Sequence, residues 1–275
     1  MKKWMIILIC VAVVLVISGG ILFTIAATTS TSAGKAQTNE YKIEESFNKF
    51  NINLSTSDLE FKDSENDEVL VKCEEKTKVY NEVKVEDNTL KITHKDTRKW
   101  YEKMFNFDFK GTKVTVFLPT DTFSDLTIDS STGDVVIDGF NFDDINIELS
   151  TGNIKLTNVN AKDVTLEAST GNITLTSVRC DSFDIEVSTG NVKFDDTIAT
   201  GNLKVKASTG DVKFNRSDAK TMTIKTSTGD ITGNILTEKN FYAKSSTGSV
   251  NVPKTNGEIA DFETSTGKIN ITISE

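Results

Sequence analysis

Proline, histidine and cysteine are all scarce in this chain. Two prolines in 275 residues fall far below the usual ~5%, so its connections are not built on proline turns. A single histidine, His94, excludes a multi-histidine metal centre and leaves one residue for any imidazole-dependent mechanism. Three cysteines exclude a disulfide-dense scaffold. Positive charge is also short. The 31 basic residues stand against 40 acidic ones, a net −9, without the basic footprint that nucleic-acid binding needs. P-loop, dinucleotide fingerprint and zinc spacing are all missing, so no cofactor is expected. What remains is 37% apolar and 26% charged, a globular composition on the polar side.

The first 27 residues read as a targeting segment. Lys2 and Lys3 precede an uncharged run from Trp4 to Ala27, long enough for a membrane helix, which takes about 20 apolar residues. Lysines on its amino-terminal side place that end in the cytoplasm and the rest outside. The competing reading is a cleaved signal peptide with Thr24 and Ala26 at the cleavage site, although its apolar core would be shorter, ~7–15 residues. Cys10 follows Ile9 and is a poor lipid-attachment site. Residues 28–40 are small and polar and read as a flexible linker. Removing Lys2 and Lys3 from the 31 basic residues leaves 29 against 40 acidic, or −11 outside the membrane. The expected location is the cell membrane, single-pass, with the carboxy-terminal domain extracytoplasmic.

The remainder is a repeat. Ser-Thr-Gly begins at Ser131, Ser150, Ser169, Ser188, Ser208, Ser227, Ser246 and Ser265, at intervals of 19 residues with a single 20. Its glycines are Gly133, Gly152, Gly171, Gly190, Gly210, Gly229, Gly248 and Gly267, followed in six copies by Asp or Asn. Glycine third in a four-residue turn predicts a type II turn, which needs positive φ there. Apolar residues alternate with polar ones on both sides, as in Val164/Leu166 and Ile173/Leu175, predicting two half-buried strands per copy. Such strands bury their apolar faces only by stacking. The expected fold is therefore all-β: a parallel β-solenoid of about 19 residues per coil over 121–275, behind an amino-terminal transmembrane helix. Its predicted length is roughly 35–40 Å at one strand spacing per coil. An antiparallel meander is the alternative. The extra residue of the 20-residue interval falls between Phe194 and Leu203, outside both strands.

Residues 41–120 read as a degenerate β region that caps the solenoid. Phe50–Phe61 carries Ser-Thr-Ser-Asp in place of Ser-Thr-Gly-Asp. Further strands are predicted at 68–73, 82–86, 89–93 and 113–118, with Asp87-Asn88 as a turn. The aromatic stretch Arg98–Phe109 reads as the end cap that such stacks need, or else as a ligand-binding patch.

The recurrent Ser-Thr-Gly-Asp/Asn turns, together with Val114-Thr-Val-Phe-Leu-Pro119 leading into Leu126-Thr-Ile128, resemble a bacterial putative-adhesin family of unknown function. The resemblance spans 47–273. It implies a β-solenoid ectodomain, often membrane-anchored and sometimes linked to envelope stress. It carries over no catalytic residues.

No catalytic constellation emerges from the residues. Serine near Asp or Asn recurs along the repeats and so reads as turn chemistry, and the protein is not expected to be an enzyme. A wall-glycan hydrolase would need acids or bases gathered at one coil, and no coil breaks the pattern that way. A Cys73–Cys180 disulfide is an open alternative to free thiols. The outward position two before each Ser-Thr-Gly reads Asp129, Glu148, Glu167, Glu186, Lys206, Lys225, Lys244 and Glu263. Stacking in sequence order would align four acids and then three lysines. The acids are a candidate calcium ladder, since calcium prefers carboxylate oxygens; a plain solvated face is the alternative. Lys204, Lys206, Lys213, Lys225 and Lys244 are candidate contacts for an anionic wall polymer. The last coil, ending at Ile273, is expected to leave an open sheet edge for self-association or a partner. Together these readings describe a membrane-anchored extracytoplasmic binding or scaffold module, adhesin-like, engaging cell-wall polymer or an envelope protein. The alternative is an accessory of an envelope-stress response acting on a membrane partner.

Overall fold

The computed structural model describes residues 33–104, 112–119 and 122–274. The predicted anchor lies outside them, as does Phe105–Phe109 of the aromatic stretch. Among the described residues no helix is long and apolar enough to cross a membrane. The described residues are all-β, with one short helix among them at Trp100–Met104.

Each repeat forms two strands on either side of its Ser-Thr-Gly, such as Asp163–Thr170 and Ile173–Thr176. Alternation decides their faces: Val164, Leu166 and Ala168 are buried, whereas Asp163, Glu167 and Ser169 are exposed. Each strand pairs in parallel with its counterpart in the neighbouring repeat. Ile154 lies beside Ile173, and Ile173 beside Val192; Ile147 lies beside Leu166, and Leu166 beside Ile185. The antiparallel alternative is thereby excluded for the repeats. Their inward residues form one continuous core from Phe50 to Ile271. A third, shorter side closes the middle repeats, where Arg179–Cys180 pairs with Ile198–Ala199 and the latter with Asp218–Ala219. The extra residue of the long interval is absorbed by a register shift between Ala199 and Asn202, leaving both flanking ladders in step.

The last two repeats do not stack in sequence order. The strand Asp218–Thr228 of the Gly229 repeat pairs with Glu258–Thr266 of the Gly267 repeat. That strand pairs on its other side with Lys239–Thr247 of the Gly248 repeat. The second strands follow suit, with Ile269 between Ile231 and Val250. The Gly267 repeat is thus inserted between its two predecessors, and the stack ends on the Gly248 repeat. The edge predicted at Ile269–Ile273 is instead an interior strand, and the free edge is Lys239–Asn251.

Packing explains the inversion. Gly233 lies in register between Phe214 and Ile271 and places no side chain over Phe214. The Phe262 ring fills that space, stacked on Phe214 with centroids 6.2 Å apart and planes 5° from parallel. Ala243, at the equivalent place in the Gly248 repeat, is too small to fill it. Where the chain leaves the Gly229 repeat and skips a level, a buried network holds it. Lys239 Nζ lies 2.9 Å from Asp218 Oδ1, and both residues are buried. Asp218 Oδ2 accepts hydrogen bonds from the Thr237 backbone N–H and hydroxyl, each at 2.7 Å. A buried ion pair is tolerated when its remaining hydrogen-bonding capacity is met in this way.

The amino-terminal part supplies a degenerate first level and a cap. Lys49–Asp63 is one 15-residue strand because Ser57 stands where the repeats have glycine, and nothing bends it. It pairs in parallel with Thr122–Thr132 below. Above, it meets Thr89–Asp96 along one half and Thr112–Leu118 along the other. Antiparallel strands Val69–Lys76 and Val79–Glu86 cover these in turn. Asp87 and Asn88, with φ of 50° and 60°, make the predicted turn in the left-handed region typical of tight hairpins. One expectation is corrected. The polar linker does not extend to Glu40, since Ala36–Ile43 is a strand whose backbone pairs along Val69–Lys76. Among the described residues strands form the cap, and Trp100 and Tyr101 of the aromatic stretch stand 72% and 46% exposed beside it.

Candidate functional site

The repeat turn orders everything along the stack. Its glycines have φ between +133° and +151°, beyond the value near +80° of a type II turn. The segment is a bend, not a hydrogen-bonded turn: the glycine N–H bonds to the next level, as from Gly152 to Thr170 O at 2.9 Å. A Cβ on Gly190 would overlap the Gly171 carbonyl oxygen, so glycine is required by conformation and by close stacking alike. The Asp/Asn that follows serves the neighbour. Asp134 Oδ1 accepts the Asn153 N–H at 2.7 Å, Asn153 Oδ1 that of Asn172 at 2.9 Å, and Asn172 Oδ1 that of Asn191 at 2.9 Å. The ladder continues through Asp211 and Asp230 to Lys268. Sequence reasoning took these residues for turn formers. Their recurrence at a single position was the available sign that each side chain serves the next level.

The outward charge column is assembled as predicted at one end and rearranged at the other. Asp129, Glu148, Glu167 and Glu186 occupy adjacent in-register positions and are exposed. They are spread one strand spacing apart on an outward face and do not converge. No group of three or more His, Cys, Asp or Glu among the described residues could hold a metal ion. The three lysines do not stack as a run, because the inverted order inserts Glu263 between Lys225 and Lys244. The candidate basic contacts are largely met by acids. Lys204 lies 2.6 Å from Asp184, Lys206 3.5 Å from Glu186 and Lys225 3.4 Å from Glu263. Lys213 stands beside Lys193.

The two described thiols are not activated. Cys73 and Cys180 are free and buried. Burial, reinforced by Glu75, pushes the Cys73 thiol up to about 12. Burial likewise raises that of Cys180, with Asp181 and Asp163 adding to the effect. A nucleophilic cysteine needs the opposite shift. His94 lies opposite Asn81 in the cap hairpin. Sequence reasoning also missed a cleft of about 280 Å³ beside the first level, lined in part by Lys49, Asn51, Thr89, Asp125, Thr127 and Asn146. Lys49 and Asp125 are paired across it at 2.6 Å. Exposed large apolar side chains occur at the two ends of the stack. Trp100 and Tyr101 mark the cap, and Leu236, Tyr242, Val250 and Ile259 the last levels.

We found no curated protein that matches the chain. Among solved structures, it is similar to one described as a putative adhesin from Bacteroides fragilis. That match has 18% identity, covers 86% of this chain and 97% of the other, and has a TM-score of 0.57, which supports the fold. A second, described as a putative adhesin from Parabacteroides distasonis, shows 14% identity over 87% of this chain and 98% of the other, with a TM-score of 0.48. The Toastrack DUF4097 family model matches residues 47–275, from the degenerate first level through the inserted last repeat, and the chain belongs to that family.

Proposed function

We propose that the protein is a membrane-anchored extracytoplasmic binding module, adhesin-like, in which a β-solenoid rod holds cell-wall polymer or a protein partner away from the bilayer. One observation carries this reading. The repeats place like residues at like positions over the whole stack, while the thiols that could supply a nucleophile are buried with raised pKa. Such a surface suits repeated weak contacts along an extended partner better than turnover at one point. The apolar run Trp4–Ala27, with its two preceding lysines, supports the anchor and the orientation.

The test is to incubate the full-length protein in nanodiscs with purified cell wall and, separately, with solubilised envelope proteins. The expected result is saturable retention by one of them and no soluble wall fragments. Release of fragments would replace binding with hydrolysis, and retention by neither would remove the binding role.

A further inference from the structure

We propose that Trp100 and Tyr101 form a membrane-contact surface that seats the cap end of the rod on the lipid headgroup interface. The inference rests on the anchor reading above and adds a second contact to it. The geometry starts at Ala33, the first described residue. Its carbonyl oxygen accepts the Lys78 backbone N–H at 3.1 Å, and Lys35 O accepts that of Thr77 at 3.1 Å, so the chain enters the fold against the turn between the two cap strands. The same turn holds the short helix: Lys78 Nζ pairs with Glu102 at 2.5 Å, and Lys78 O accepts the Thr97 N–H at 2.9 Å. Glu102 in turn caps the helix start through the Lys99 N–H at 2.8 Å. Trp100 and Tyr101 therefore sit beside the point where the chain arrives from the predicted membrane segment.

Reach is limiting. From Ala27, the end of the apolar run, to Ala33 the chain spans at most about 20 Å even when fully extended. This end of the rod is therefore held close to the bilayer surface, while the Gly248 repeat lies at the far end. Among the described residues, Trp100 and Tyr101 are the exposed large apolar residues at the near end. They pack edge to face with centroids 5.9 Å apart, and Lys99 Nζ lies 5.9 Å from the Tyr101 ring centre. Tryptophan and tyrosine are the residues enriched at membrane–water interfaces, where an apolar ring and a polar edge are both accommodated. The exposed Lys35 and Lys99 suit anionic headgroups. A bilayer surface is thus the occupant that matches both the chemistry of the patch and the chain that leads to it.

The sequence holds only two tryptophans, Trp4 and Trp100, which makes the test direct. The full chain is reconstituted in nanodiscs as Trp4→Phe or Trp100→Phe, with and without lipids brominated near the headgroup end of the acyl chains. In the Trp4→Phe protein, Trp100 is expected to lose at least half of its emission to brominated lipid, with a blue-shifted spectrum, as an interfacial tryptophan does. In the Trp100→Phe protein, quenching of Trp4 reports the anchor independently. Quenching of Trp4 with an unquenched Trp100 overturns the contact surface and leaves the anchor standing. A blue-shifted but unquenched Trp100 means that protein covers it, which also overturns the lipid contact. An unquenched Trp4 removes the anchor and, with it, the basis of the proposal.

Discussion

A methyl group on Gly190 would strike the Gly171 carbonyl oxygen while forcing φ near +148° on a residue with a Cβ. Gly139 has φ of +86° with nothing within 4 Å of the same methyl. The pair separates backbone strain from stacking overlap. Gly139→Ala is expected to cost about 1–2 kcal/mol, the left-handed penalty alone. Gly190→Ala should cost clearly more, beyond about 3 kcal/mol, because the neighbouring level must move as well. Urea midpoints of the two variants check the difference. Thiol chemistry gives a second residue-scale prediction. Cys73 titrates near 12 and Cys180 is also raised, so neither forms thiolate in the folded protein near pH 8. In a Cys10→Ser background a disulfide reagent should report almost no thiol until denaturant is added, and then two. The sign also holds for stability. A thiol with a folded pKa raised above its unfolded value contributes stability that fades once pH climbs past the unfolded value near 9. Alkaline solution should therefore weaken the fold and expose both thiols together.

Strands were legible in the sequence because most inward positions are apolar and each repeat bend carries glycine. The period of 19, the two strands per copy and the site of the extra residue all followed from this pattern. The order of the last two repeats did not follow, because near-identical strands fit one another in either order and the choice falls to a few residues. Gly233 removes a core side chain, and Phe262, not Ala243, replaces its volume over Phe214. Lys225 and Lys244 would be neighbours in sequence order, whereas the inserted Glu263 separates them, avoiding a like-charge pair worth a fraction of a kcal/mol. The charge column was likewise legible as a column but not as a sequence of partners. Phe262→Ala is expected to destabilise by about 3–5 kcal/mol, as loss of a buried aromatic ring does. It should also increase cleavage within 252–257, the strandless connection that carries the chain to the inserted repeat. Thermal unfolding and limited proteolysis measure the two effects. Unchanged cleavage with lowered stability would show that Phe262 contributes packing without setting the order.

On the scale of the molecule, the nine levels from Lys49–Asp63 to the Gly248 repeat, about 4.8 Å apart, span just under 40 Å, with the cap strands at one end and a free edge at the other. The cap end presents charged edge strands, such as Val79–Glu86 with Glu82, Lys84 and Glu86, the usual protection against edge pairing. The other end presents Lys239–Asn251, whose Tyr242 and Val250 are 58% and 44% exposed. In a stack laid down in sequence order, deleting the last repeat would remove only the end level and leave its neighbour intact, as in other repeat arrays. Here, truncation after Gly257 removes an interior level. The Gly248 repeat should then lose its ladder partner, and proteolysis should clear 236–257 back to the Gly229 repeat. A truncated protein that keeps the Gly248 repeat protected would mean that it can dock directly on the Gly229 repeat.

The inserted repeat also changes when the protein becomes finished. During synthesis the Gly248 repeat emerges before Glu258–Thr266, the strand it pairs with in the finished fold, so its ladder partner arrives only with the last residues of the stack. A prematurely ended chain therefore presents a loose strand edge instead of a shorter sound rod.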